Sequence, residues 1–302
     1  MKQPAPALPA QHGSGQRVSL TTLLYLLGPS LGITVLLFGG GLFLGFLQAL
    51  GHLPSLGFNQ LSLQHFQKVF TDPDFPGSLG ITLYISTVST IIAALLSIFV
   101  SLAMMKWASN SRLINFILQI PLTAPHLVVA IAILLLLSPS GFFARILNAL
   151  SIVDKPSVLP LLVNDRWCIG IIIVYIWKEV PFITLMLLSI LKNIGPELLE
   201  VSATLNASRQ QRFFYVILPL ISPNLVSSCL IVFAYTFGSF EVPYLLGQTY
   251  PTTLSVWAYR SYSDVDLLAR PEGIALGLLI ALVITAIILV PQLLIAFRQR
   301  ER

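Results

Sequence analysis

Six apolar runs, each close to the length of a bilayer-crossing helix, govern what this chain can fold into. They lie at Leu23–Leu47, Gly80–Met105, Leu113–Leu137, Ile169–Leu191, Leu220–Phe240 and Gly273–Phe297. About 20 residues at 1.5 Å rise cross roughly 30 Å of hydrocarbon. No water is available there to satisfy backbone N–H and C=O groups, so each run must close its hydrogen bonds internally as a helix. The predicted fold class is an all-α polytopic membrane protein with six transmembrane helices. Composition points the same way: 56% of residues are hydrophobic and 10% charged, with a mean hydropathy of +0.86. A water-soluble surface normally draws on about a quarter of the residues being charged.

The first run lacks a small-residue cleavage signature and precedes five more, so it is expected to be a retained helix rather than a signal peptide. Residues 1–22, with Pro4, Pro6, Pro9, Gly13 and Gly15, read as a disordered leader. The expected order is then a first helix over 23–47, an outer loop over 48–79, a five-helix core over 80–297 and a short tail over 298–302. Gly51–Gly77 and Ser138–Arg166 have room for short interfacial helices. Placing the N terminus inside puts ten of the 17 Lys and Arg residues in cytoplasmic segments and six outside, with Lys178 inside a span. The positive-inside rule therefore predicts both termini in the cytoplasm. The net charge of +5 reads as topology, and no basic patch supports nucleic-acid binding.

No enzyme site is expected. Cys168 and Cys229 sit in apolar runs, the four histidines (His12, His52, His65, His126) lack close metal-ligand spacing, and no nucleophile–base constellation stands out. Gly-x-x-x-x-Gly-Lys-Ser/Thr is absent, so the chain has no phosphate loop of that type.

Between the fourth and fifth runs lies a polar, helix-forming segment, Lys192–Pro219. Leu198, Leu199, Val201 and Leu205 alternate with Glu197, Glu200 and Ser202 as on a short helix with one apolar side. Pro196 suits a first helical position, and Glu197 and Glu200 complement the positive end of the helix dipole. Asn206 tolerates a left-handed turn, after which Ala207, Ser208 and Arg209 to Phe214 lead back to the membrane, with Pro219 marking entry to the fifth span.

The register from Glu200 to Leu218-Pro219 resembles the EAA loop of inner-membrane permease subunits of binding-protein-dependent ABC importers. That pattern runs Glu-Ala-Ala, three residues, Gly, nine residues, Ile, one residue, Leu-Pro. Glu200, Leu218 and Pro219 match it, whereas Val201, Ser202, Asn206 and Val216 depart from it at intact spacing. The resemblance implies a fold of the methionine, maltose and spermidine permease type, and Phe237–Gly247 is similar to the spermidine/putrescine branch. The resemblance implies a permease moving a small solute, polyamine-like or another small polar one, across the bacterial inner membrane. Glu197, Glu200, Val201, Ser202, Asn206, Ala207, Phe213, Leu218 and Pro219 would form a cytoplasmic coupling helix and docking loop. It further implies a cytoplasmic ATPase dimer carrying ATP and Mg, an extracytoplasmic solute-binding protein, and a second permease, expected to be a distinct chain, with a second copy as the alternative.

Charges at bilayer depth are costly and need compensation. Lys178 and Glu179 fall well inside the fourth run, about 100° apart around a helix, so they are not expected to pair only with each other. Lining a solute pathway or the permease interface is one reading; satisfying backbone groups freed by Pro181 is the other. His126 follows Pro121 and Pro125, where a packed hinge is expected, and Glu241 stands near the outer boundary, where an acid would suit a cationic solute or simply a turn. A secondary transporter or a channel subunit remains the alternative class, although two related halves are not evident.

Overall fold

The computed structural model describes residues 20–52, 54, 61–107, 111–152, 162–193 and 207–300. It comprises two compact units, Met1–Leu47 and Gln48–Arg302. In the first, α1 (Leu20–Thr34) passes through a π-helical turn at Val35–Gly39 into α2 (Gly40–Ala49). Leu24–Ala49 is long and apolar enough to cross a membrane.

The second unit contains α3 (Gln64–Thr71), α4 (Phe75–Trp107), α5 (Arg112–Thr123), α6 (His126–Leu137), α7 (Phe142–Ala149) and α8 (Ile169–Asn193). It continues with α9 (Arg209–Arg212), α10 (Leu218–Gly238), α11 (Glu241–Leu246), α12 (Leu254–Tyr262) and α13 (Arg270–Arg300). Five further stretches are long and apolar enough to span: Phe75–Trp107, His126–Ala149, Ile169–Lys192, Arg209–Gly238 and Leu267–Val290. The fold is therefore all-α with six candidate spans, and among the described residues there is no β-strand.

The boundaries depart most from the sequence expectation at three places. The second span starts at Phe75 rather than Gly80, taking five residues from the expected outer loop. The third run, Leu113–Leu137, is two 12-residue helices rather than one, α5 and α6, parted at Ala124-Pro125. Ala124 has φ −78° and ψ 130°, the extended conformation imposed on a residue preceding proline. The fifth helix begins before Pro219, not at it: α9, a π turn at Phe213–Ile217 and α10 run on without a break. Pro219 has no N–H to offer the preceding turn, and a π turn immediately upstream is one way a helix accommodates that loss.

Short helices gather where α4 and α8 both begin, here the capped end. Lys68 of α3 donates to Glu272 Oε2 of α13 at 2.6 Å, and Tyr250 Oη donates to Asp74 Oδ1 at 2.6 Å. Asp165 accepts from the N–H groups of Trp167 and Ile169, capping the start of α8, while the Asn164 N–H donates to the Leu246 carbonyl of α11. Gly247 ends α11, where a Cβ would lie 2.3 Å from the Pro243 oxygen, so no larger residue fits that turn unchanged.

In the core, α4 packs on α8 and α10. Ser78, Thr82, Ser86, Ser89, Thr90, Ala93, Ser97 and Ser101 form a buried small-residue stripe along α4. Their spacing of three or four residues keeps them on one face, and small side chains let helix backbones approach closely in a medium with no hydrophobic driving force between helices. Ser97 Oγ donates to the Val180 carbonyl of α8 at 3.0 Å. Thr82 joins α4 to α12 by accepting from the Leu254 N–H at 3.0 Å. Apolar side chains fill the rest, with Ile183, Leu187, Leu191, Ile221 and Val232 around Ala93 toward one end, and Ile85, Ile171, Val174 and Val242 toward the other.

A polar junction in the membrane core as candidate functional site

The break in the third span creates the site. Carbonyls in the last turn of α5 lack helical partners, and the loss is sharpest at Pro121, whose oxygen would ordinarily accept from residue 125. Residue 125 is proline and has no N–H. Lys178 of α8 supplies the missing donor. Its Nζ lies 2.7 Å from Pro121 O and 2.6 Å from Ala124 O, with Leu122 O at 3.5 Å. Lys178 is only 5% exposed, about 14 Å along α8 from its start. An ammonium at a helix C-terminus also meets the negative end of the helix dipole. The backbone groups that hold this lysine thus lie on the third span, freed by Pro125, and not on α8 around Pro181.

Glu179 diverges from its neighbour as the helical angle requires. Its Oε1 stands 3.4 Å from Nε2 of His126, the first residue of α6. Glu179 is 8% exposed, with its carboxylate on the positive N-terminal side of α6. The His126 ring lies 4.6 Å from the ring of Tyr235 on α10, centroid to centroid. One proline break therefore gathers α5, α6, α8 and α10 around a lysine, a glutamate, a histidine and a tyrosine. Of the residues singled out in the spans, Lys178, Glu179 and His126 come together here.

Glu241 opens α11 and is half-buried. Tyr175 is fully buried, with Ser239 beside its hydroxyl. Sequence reasoning passed over Tyr175 and Tyr235. A signal was available, since Tyr175 lies one helical turn before Glu179 and a phenol inside a span needs a polar partner.

The docking loop divides differently. Glu197, Glu200, Val201, Ser202 and Asn206 lie outside the described residues. Ala207 and Ser208 lead into α9, where Ser208 Oγ accepts from the Gln211 N–H and the Gln211 side chain accepts from the Ser208 N–H in a reciprocal capping box. Phe213 falls in the π turn, and Leu218 and Pro219 open α10.

Residues 95–301 match the family described as binding-protein-dependent transport system inner membrane component. The inner membrane ABC transporter permease protein YnjC of Escherichia coli is 29% identical over 242 residues, 78% of this chain and 44% of that protein. The sulfate transport system permease protein CysT of Salmonella typhimurium is 26% identical over 183 residues, 60% of this chain and 62% of that protein. The spermidine/putrescine transport system permease protein PotB of Haemophilus influenzae is 28% identical over 188 residues, 62% of this chain and 64% of that protein. The chain thus spans less than two thirds of the length of these relatives. In fold it is similar to a crystal structure of a bacterial ABC transporter involved in the import of the acidic polysaccharide alginate. There the TM-score is 0.74 at 22% identity, over 90% of this chain and 94% of that one. The same kind of transporter in complex with an alginate pentasaccharide-bound periplasmic protein aligns with a TM-score of 0.71 at 23% identity, over 88% of this chain and 91% of that one. With a match over more than half its residues, this chain belongs to the family of binding-protein-dependent transport system inner membrane components.

Proposed function

We propose that this chain is the permease subunit of an ABC importer, carrying a small solute across the inner membrane with energy supplied by a separate ATPase. The observation that carries the reading is the family match over residues 95–301, which takes in both the broken third span and the Glu200 to Leu218-Pro219 register. Both termini lie in the cytoplasm, so the segment around Glu197 and Glu200 faces the ATPase dimer, which holds ATP and Mg. The capped end faces outward and receives the solute-binding protein, as a periplasmic protein is held in the alginate transporter complex. A second permease closes the pathway against this one.

In this mechanism ATP binding draws the ATPase pair together, displaces the docking loops and biases the spans toward one of two states. Only contacts that differ between those states can couple the two events. The break at Ala124-Pro125 supplies a joint within a span, and Lys178 keeps its exposed carbonyls satisfied on the α8 side.

The test is affinity purification through a tag on this chain from its native membranes. An ABC ATPase should co-purify, and the separated chain should have no ATPase activity. Robust hydrolysis by the isolated chain overturns the assignment.

A further inference from the structure

Charge divides the second unit from end to end. Among the described residues every Asp and Glu stands at the capped end, apart from Glu179 beside the third-span break. At the opposite end the described charges are all cations. They include Lys106 in the last turn of α4, Arg112 at the start of α5, Lys192 in the last turn of α8, and Arg209 and Arg212 on α9. These five are scattered over residues 106–212 in the sequence and meet only through packing, because Met105, Ile190, Leu191, Ile217 and Leu218 share one apolar cluster. None of them forms an ion pair among the described residues. Lys106 instead lies over the Trp107 ring, 4.6 Å from its centroid. Trp107, Phe214 and Tyr215 are exposed at this level, and exposed Leu95 and Phe99 of α4 and Leu220 and Val226 of α10 continue the apolar surface toward the middle of the spans.

Resting on the orientation proposed above, we infer that this end binds anionic phospholipid of the cytoplasmic leaflet, with headgroup phosphates held by Lys106, Arg209 and Arg212 and acyl chains laid along α4 and α10. Charge selects an anionic lipid: each Lys or Arg near the membrane surface is worth about fivefold in affinity for an anionic leaflet, a gain that unpaired cations keep and paired ones lose. Guanidinium groups also present parallel N–H donors that match two phosphate oxygens at once. The rings select a lipid over a soluble anion, since Trp and Tyr favour headgroup depth and Phe214 and Tyr215 follow Arg212 within one turn. A docked ATPase fits this surface less well, because the rings run on into the apolar faces of α4 and α10, which lie along the spans. Lipid held here fixes the point at which the docking segment returns to the bilayer, as α9 follows that segment directly.

The tagged chain is purified with its partners in neutral detergent, and its thermal midpoint is followed as phosphatidylglycerol, phosphatidylcholine or inorganic phosphate is added, while native mass spectrometry counts the lipids retained. Phosphatidylglycerol should raise the midpoint and stay bound; phosphatidylcholine and phosphate should do neither. In Lys106→Gln/Arg209→Gln/Arg212→Gln the phosphatidylglycerol concentration giving half the shift should rise at least about tenfold, short of the roughly hundredfold that three independent cations would give. Arg166→Gln/Arg260→Gln, at the capped end, should respond as the parent does. Raising salt should weaken the parent's response, a check that needs no variant to fold. An equal response to both lipids, a phosphate response matching that to phosphatidylglycerol, or a salt-independent response overturns the inference. So does an unchanged titration in the triple variant or an equal loss in the capped-end variant. Loss of the co-purified ATPase from the triple variant at a parental titration overturns it too, and makes the surface an ATPase contact. Removal of a C-terminal tag by protease added outside intact spheroplasts overturns the orientation instead and leaves the lipid titration standing.

Discussion

Replacing Lys178 by Met tests the account of the third-span break most directly. The substitution keeps an unbranched stem of similar bulk and removes the donor to Pro121 O and Ala124 O, at 2.7 Å and 2.6 Å. Polar contacts between membrane helices average about 0.6 kcal/mol and reach about 1.7 kcal/mol. Two such contacts therefore put the loss at about 1 to 3.5 kcal/mol. The third carbonyl, at 3.5 Å, is too distant to add much. Met also enters a bilayer more readily than Lys, by about 2.5–3.5 kcal/mol on an insertion scale, but the inserted, unpacked chain gains this too. Insertion should thus hold or improve while the thermal midpoint of the purified complex falls. The decisive step is a double-mutant cycle with Pro125→Ala, which returns an N–H to residue 125 and offers Pro121 O a backbone donor. In that background the Lys178→Met penalty should drop by about half, because one of the two carbonyls no longer depends on the lysine. An equal penalty in both backgrounds, or a parental midpoint for Lys178→Met alone, refutes the reasoning.

Other expectations follow from the docking loop, the α4 stripe and the capped end. Glu200→Lys should reduce uptake while leaving membrane insertion intact, since it would reverse charge at the positive end of the short helix expected from the sequence; uptake in vesicles beside membrane yield checks this. Asn206→Gly should keep transport and Asn206→Val should lose it, because a β-branched residue resists a left-handed turn; parental transport by the valine variant means that the turn is absent. Ser86→Leu forces a large side chain between α4 and its neighbours and should destabilise by about 1–3 kcal/mol, read as a lower thermal midpoint and yield. Lys68 is held above the ordinary lysine range, first by its hydrogen bond to Glu272 and then by that carboxylate's charge. A raised folded-state value means that the pair's contribution is fully present below the unfolded lysine value and fades as pH climbs through the folded one. The side chain is largely exposed, so the pair is worth under about 1 kcal/mol; Lys68→Ala should lower the midpoint slightly at pH 8 and make no difference at strongly alkaline pH.

Much of the architecture could be read directly from the chain because its causes are local. Hydrocarbon length and the need to satisfy backbone groups turn apolar runs into helices wherever they stand, which is why six were countable. Pro125 likewise announced a hinge, since the missing N–H belongs to the residue itself. A hydropathy window averages over single prolines, so it drew the third run as one helix and started the fifth at Pro219. The sequence identified Lys178, Glu179 and His126 as residues needing compensation, but it could not assign their partners. That assignment depends on packing: α5 and α6 must part beside α8 for the ammonium to reach Pro121 O and Ala124 O, and α10 must lie against α6 for Tyr235 to cover His126. The chain alone determined that buried charges exist and which prolines free backbone groups. Only the tertiary structure decided which carbonyl, ring and carboxylate each would meet, because those partners lie more than 50 residues away in sequence and a few ångströms away in space.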